Sequence, residues 1–302
     1  MPVSNYWLAV LFSFSFFLGG CASDRENHPK QNEKPALDES QVDHDQAEDP
    51  EVLFRRLDDT MSRWSEARER GDHGWIHALE RELRELAISN MTILTRWLQG
   101  EDGGRRVVAA MALGFSRDSR VLSPLMIAIH DDDSYVRSNA LIGIGLVHDP
   151  DTPVDPILEA LSDKDPAVRL AAAYCLGEIV PPKSDGGALV PLMKVLRTEV
   201  EDSVKNHAVV SLGHLGNHMA VPTIISSTLF SENPDLRLNS VVALGKIKDR
   251  RAVIPLVKLL DDQNRSVRQI AEEALAAITG EDFGSNRKAW DRWVEDNRNS
   301  LD

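Results

Sequence analysis

Six basic residues recur at intervals that suit chemistry on an anion: Arg106, Arg137, Arg169, Lys205, Arg237 and Arg268, spaced by 31, 32, 36, 32 and 31 residues. Guanidinium groups left free bind phosphate or carboxylate bidentately. Here each base is expected to pair with acidic residues four and six before it, as Arg137 with Asp133 and Asp131. The row is therefore expected to form a ladder of ion pairs and caps that ties successive repeats together. His214 and His218 are four apart, a spacing that can hold a metal on a helix. Gly213 and Gly216 surround them and no third ligand is evident, so they read as loop histidines and no metal site is expected. Cys175, beside Ala171 and Ala172, reads as inert packing and not as a nucleophile. Scattered residues give no Ser-His-Asp set, and no glycine-rich phosphate loop is present. No catalytic residue, cofactor or small-molecule substrate is expected from these groups.

The basic residues mark a helix that the chain repeats, since a fixed period in this range signals a solenoid. Three residues past each base stands a small residue (Ala109, Ala140, Ala172, Ala208, Ser240, Ala271). Six past it stands another (Ala112, Gly143, Cys175, Ser211, Ala243, Ala274). These share a helix face and let neighbouring helices approach closely. Seven past it is always Leu or Ile, a core wedge. Four before it stand Asp102, Asp133, Asp165, Glu201, Asn233 and Asn264, mostly N-cap types. A second, shorter helix in each unit carries Pro124, Pro156, Pro191, Pro222 or Pro255, and the one long spacing is explained by the loop "PPKSDGG" at 181–187. Each helix pair cannot bury its apolar face alone, so the units must stack.

The segment from about Gly100 to Thr279 resembles HEAT repeats, of the short kind similar to the phycobilin lyase HEAT-like family. The motif D-x-x-V-R-x-x-A-x-x-A-L-G is met nearly in full by Asp133, Val136, Arg137, Ala140, Ile144 and Gly145, and by Asp165, Val168, Arg169, Ala172, Leu176 and Gly177. The resemblance implies an all-α, right-handed α-solenoid of HEAT-like helix pairs with N- and C-terminal helical caps. It also brings two enzymatic readings. One, a di-iron hydroxylase, takes its ligands as His-Glu pairs, and each His of this chain is followed by another residue, as in His130-Asp131 and His148-Asp149. The other, a phycobilin lyase or its subunit, acts on cytosolic antenna proteins, which an exported protein does not meet. The chain is therefore expected not to be an enzyme; the alternative kept beside this is a catalytic HEAT-repeat protein, hydroxylase-like or lyase-like, with an unrecognised site.

Export is expected from the first twenty residues. "WLAVLFSFSFFL" is a short apolar run of the secretory kind, and "LGGC" resembles the bacterial lipobox, which implies that Cys21 becomes the lipidated first residue. Residues 21–49 then form an acidic tether with almost no large apolar groups. Residues 50–99 read as a cap of three helices, from Leu53, Leu57 and Trp64, then Ile76, Leu79, Leu83 and Leu86, then Ile93, Leu94, Trp97 and Leu98. Residues 100–279 hold the repeats, and 280–302 form a C-terminal cap closed by Phe283, Trp290 and Trp293. The expected location is the bacterial cell envelope, lipid-anchored at the outer membrane and facing the periplasm. A net charge of −14 argues against a nucleic-acid partner.

The remaining question is where a partner sits. In HEAT-like stacking the helix with the basic residue lines the concave surface, and positions five and one past the base point away from the core. They hold an apolar stripe: Met111, Ile142, Tyr174, Val210 and Val242 at plus five, Leu170 and Leu238 at plus one. These residues are expected to bind a protein or peptide, unless strong curvature brings the helices together and buries them.

Overall fold

The computed structural model describes residues 49–184 and 187–301. Fifteen α-helices are formed among them, joined by turns and short 3₁₀ segments. The first two, α1 (Pro50–Glu69) and α2 (His73–Ser89), make an antiparallel hairpin around the turn at Gly71. Its interior is built by Leu53, Leu57, Met61 and Trp64 from one helix and Ile76, Leu79, Leu83 and Leu86 from the other, at the helical spacing the sequence shows. Twelve helices follow in alternation. The short ones are α3 (Met91–Leu98), α5 (Leu122–Ala128), α7 (Asp155–Ala160), α9 (Leu189–Thr198), α11 (Val221–Ser227) and α13 (Val253–Lys258). The long ones are α4 (Gly103–Phe115), α6 (Ser134–Val147), α8 (Pro166–Ile179), α10 (Asp202–Leu215), α12 (Pro234–Ile247) and α14 (Arg265–Thr279). Each short helix packs on the long helix after it, which gives six units. The first unit begins with α3, because Leu94 and Trp97 pack with α4 and not only with the hairpin.

The caps form where Asp, Asn and Pro place them. Asp102, Asp133, Asp165, Asn233 and Asn264 each accept a backbone N–H from the first turn of the long helix that follows, and Pro166 and Pro234 take its first position. Glu201 makes no such bond. Its carboxylate is one methylene farther from the backbone than Asp, and Asp202 supplies the negative charge of that first turn.

The long helices lie side by side in chain order, closer to one another than the short helices are. Their close approach has one repeated cause: a glycine eight past the base faces the small residue six past the base of the next helix. Gly114 meets Gly143, Gly177 meets Ser211, Gly213 lies 2.9 Å from the Cα of Ala243, measured from where a Cβ would stand, and Gly245 3.1 Å from the Cβ of Ala274. A layer drawn together while its partner layer stays apart curves the stack, so the long helices line the concave side. The last helix, α15 (Arg287–Asn297), closes the open end against α13. Trp290 there is fully buried, edge-on to Phe283 at 4.8 Å and to Trp293 at 6.3 Å, and its indole N–H donates to Gly284 O at 2.9 Å. The chain is an all-α solenoid.

Candidate functional site

The basic row runs along one edge of the stack and is engaged throughout. Nη1 of Arg137 donates to the carbonyls of Asp131 and Asp132, closing its own turn, and Nε and Nη2 grip the carboxylate of Asp163 at 2.9 and 3.0 Å. Asp163 stands six residues before the next base, Arg169. The pattern repeats: Arg106 with Asp131, Arg169 with Glu199, Arg237 with Asp262, each guanidinium also bonded to carbonyls five and six residues before it. The carboxylate that Arg137 grips therefore comes from the following repeat, while Asp131 and Asp133 near it in sequence serve Arg106 and the N-cap. One rung is missing. Lys205 turns to Asp202 in its own first turn at 3.0 Å, and the position that would answer it in the next repeat is Ser231. Burial works against the charge of Asp163 and Asp262, yet hydrogen bonds from arginine and backbone N–H groups leave both carboxyls below their ordinary value. The Arg169 guanidinium holds Glu199 down at about 2. These arginines are spoken for and are no anion site.

Most of the apolar stripe is not available to a partner. Leu170 is 1% exposed and Leu238 4%: side chains one past the base are swallowed between adjacent long helices, because the glycine contacts bring those helices so near. Position plus five divides the face into two halves. Met111 is 4% exposed and Ile142 3%, so neither presents a binding surface. The α1–α2 hairpin packs against α4 at that end of the stack. Trp64 stacks edge-on against Phe115 at 5.2 Å, Glu51 pairs with Arg105, and Arg68 reaches across to the field of Tyr174 and Glu178 on α8. From α8 onward the exposure of this position rises. Tyr174, Val210 and Val242 are half-buried, and around them Asn206 and His214 are half-buried while Lys246, Gln269 and Glu273 are exposed. Sequence spacing could not show how closely the long helices approach one another.

The open half also brings Glu178 and Lys246, which the sequence reading passed over, into register with His214, which it read as a loop histidine and which lies in a helix. Glu178, His214 and Lys246 occupy the same position, nine past the base, on three consecutive long helices. Burial pushes the Glu178 carboxyl up, against the pull of His148, whose Nδ1 is 3.8 Å away, and of Arg68 and Lys246. Burial pushes His214 down, and the charge of Lys246 adds to this. Tyr174 is likewise pushed up by burial. The signal was in the alignment: a polar triplet at a position that reads Phe115 and Leu146 in the first two units. His214 sits in the last turn of α10 and His218 opens the 3₁₀ turn that follows, with His218 exposed. Among the described residues no group of three or more His, Cys, Asp or Glu is placed to hold a metal ion. Cys175 is fully buried at the contact with Gly145, and burial raises its thiol. On the outer layer a cleft of about 490 Å³ opens between α7 and α9, lined by Leu158, Leu161, Val190, Lys194 and Val195. Among the described residues no helix is long and apolar enough to cross a membrane, and Cys21 lies outside them.

Comparison with known proteins bears on both fold and activity. The chain is 33% identical over 124 residues to a bilin biosynthesis protein, PecE, of Mastigocladus laminosus, covering 40% of this chain and 46% of that one. It is 31% identical over 124 residues to PecE of a Nostoc strain, covering 40% of this chain and 49% of that protein. The chain thus spans about half the length of the curated relatives it matches. The expectation that it is not an enzyme does not stand against these relatives, which are biosynthetic proteins; the argument from compartment excluded them on a location, not on a residue. Among solved structures, the complex of CpcE and CpcF of phycocyanin lyase from Nostoc aligns at a TM-score of 0.44 with 17% identity, over 88% of this chain and 100% of the matched one. A designed armadillo repeat protein aligns at 0.49 with 19% identity, over 62% of this chain and 98% of that one. The family model for HEAT repeats matches residues 123–209 and 189–276, together just over half of the chain. With the period, the capped helix pairs and this match in agreement, the chain belongs to the HEAT-repeat family.

Proposed function

We propose that this chain is a lyase-like HEAT-repeat protein that holds a protein client on the open half of its concave face while a prosthetic group is attached or removed. The observation that carries the reading is the opening of that face from α8 onward, in a chain 33% identical over 124 residues to a bilin biosynthesis protein. A client lying there meets the apolar side chains of Val210 and Val242, ringed by Asn206, His214, Lys246, Gln269 and Glu273. Solenoids use extended concave surfaces in this way. Glu178, shifted toward its protonated form, and the Lys246 ammonium stand on the same row and offer a proton donor and a cation to an acidic group brought by the client or its chromophore. The test is a comparison of source cells with and without the chain, by mass spectrometry of proteins that crosslink to Val242. A crosslinked protein whose covalent adduct changes supports the reading; crosslinked proteins with identical adducts in both cells sink the lyase-like part.

Export and anchoring form a second, separate proposal, supported by "LGGC" and the apolar run before it. Cys21 then carries the lipid, residues 21–49 tether the body to the membrane, and the client resides in the same envelope compartment, at the outer membrane facing the periplasm. Fatty-acid labelling should vanish in Cys21→Ser. Labelling that persists in that variant removes the proposal.

A further inference from the structure

The outer layer holds the same cleft at two successive joints, and the two copies differ in what they present. Between α5 and α7 the cleft is about 410 Å³, and between α7 and α9 about 490 Å³. Both are lined by the proline of the later short helix, Pro156 or Pro191, and by the rung that crosses the joint, Arg137 with Asp163 or Arg169 with Glu199. These parts serve the stack and stay constant. The positions around them do not. One before the proline stands Asp155 at the first joint and Val190 at the second; three past it, Glu159 and Lys194; four past it, Ala160 and Val195. One past the acid of the rung, Lys164 at the first joint is answered by Val200 at the second. Val190 is 62% exposed and Val200 79%, the highest value among the large apolar side chains of the described residues. Val200 is not carried on a slack loop. Its backbone N–H and that of Glu201 donate to Glu199 Oε1 at 2.9 and 3.1 Å, while Arg169 grips the same carboxylate. Valines held out to solvent add nothing to the stack, and their gathering around one cleft marks a surface for a partner.

We infer that the cleft between α7 and α9 docks a segment of a second protein, which sets a large apolar side chain among Val190, Val195 and Val200 and a neighbouring carboxylate on Lys194. Charge decides the occupant. On the walls of this cleft Arg169 and Glu199 answer each other, which leaves the Lys194 ammonium as the charge a partner meets, where the first cleft offers the carboxylate of Glu159. An ammonium amid valines complements an acidic residue beside an apolar one, and the first cleft repels it. The openness of the walls favours a protein over a small molecule. A small ligand is held by burying about 70–90% of its surface. A segment lying across Val190 and Val200 covers both and needs no enclosure. The site lies on the outer layer, so its partner is not the client of the concave face, and the inference stands without the client reading.

Benzoylphenylalanine at Ser162, on the wall of this cleft, should capture one protein from the full chain in its own cells. The crosslinked peptide of that protein, read by mass spectrometry, should carry Asp or Glu beside a large apolar residue. The same probe at His130, which stands at the equivalent place of the first cleft, should not capture it. Val190→Asp with Lys194→Glu and Val200→Lys gives the second cleft the residues of the first, which the same scaffold already carries, so the melting temperature should hold while capture from Ser162 falls about tenfold or more. Lys194→Glu alone, on the exposed end of α9, should lower capture in the same direction and serves if the triple variant melts early. The inference is overturned by no capture from Ser162, by equal capture from His130, by undiminished capture in the variants, or by a crosslinked peptide with no acidic residue beside an apolar one. Recovery at Ser162 of the protein taken from Val242 overturns it as well. Failure to crosslink a client at Val242 would instead count against the proposed function and leave this result standing.

Discussion

Replacing Arg169 by alanine removes the central rung of the edge ladder. Its guanidinium makes two bonds to Glu199, at 2.7 and 3.0 Å, and two to the carbonyls of Asp163 and Lys164, at 2.9 and 3.3 Å. A hydrogen bond to a charged partner contributes about 1.5–3 kcal/mol, and bonds from one group do not add. The variant also strands Glu199, whose side chain is only 8% exposed, and loss of one partner from a fully buried pair costs about 3–5 kcal/mol. Because the pair is partly open to water, we expect a loss of about 2–4 kcal/mol, or roughly 5–15 °C in melting temperature. The pH dependence sharpens the test. Glu199 has its folded value depressed to about 2 from 4.5, so its contribution is fully present above 4.5 and is lost as pH falls from there toward 2. The variant should show a flatter fall over that window. Lys205→Ala is the internal control: its partner Asp202 is 40% exposed, and the cost should be about 0–1 kcal/mol. Thermal melts followed by circular dichroism at pH 7 and down to pH 2.5 read both. Equal melting temperatures for the wild type and Arg169→Ala, or a larger loss for Lys205→Ala, would refute the reasoning about the ladder.

Installing the missing rung, Lys205→Arg with Ser231→Asp, should raise stability by about 1–2 kcal/mol, while each single change gives less than half of that; additivity in a double-mutant cycle would show that no rung formed. Gly114→Ala adds a methyl where Gly143 already stands, so it should destabilise by about 1–3 kcal/mol despite the better helix propensity of alanine, measured by denaturant midpoint. His207 is buried and held down to about 4, so protonation favours the unfolded chain: stability is full above its ordinary value of 6.5 and falls as pH drops from there toward 4. His207→Gln should lessen that fall, seen by comparing melts at pH 7 and pH 5.

The repeats were legible because each basic residue sits in the same capped helix, and the small residues at plus three and plus six mark where helices meet. The alternation of glycine at plus eight against plus six of the next helix was also written in the sequence, but its meaning needs two helices at once. Ion partners were misplaced for the same reason. Asp131 is nearer to Arg137 along the chain, yet the curve of the stack brings Asp163 to that guanidinium. The concave stripe shows the limit most clearly. Helical phase assigns Met111, Ile142, Leu170 and Leu238 to the inner face, but solvent exposure depends on inter-helix distance, and all four are buried. Glu178 and Lys246 were missed, and His214 was read as a loop residue, because an acid, an imidazole and an amine in register resemble an ordinary solvated position until burial is known.

The central claim, that the open half of the concave face holds the client, is tested most directly by photocrosslinking the full chain in its own cells from single positions. Benzoylphenylalanine at Val210, Val242 or Glu273 should yield one common crosslinked protein. The same probe at Val190, 62% exposed in the outer cleft, or at Ile254 on α13 should not yield it. Capture of that protein from Val190 and not from Val242 would contradict the account and move the binding surface to the outer layer.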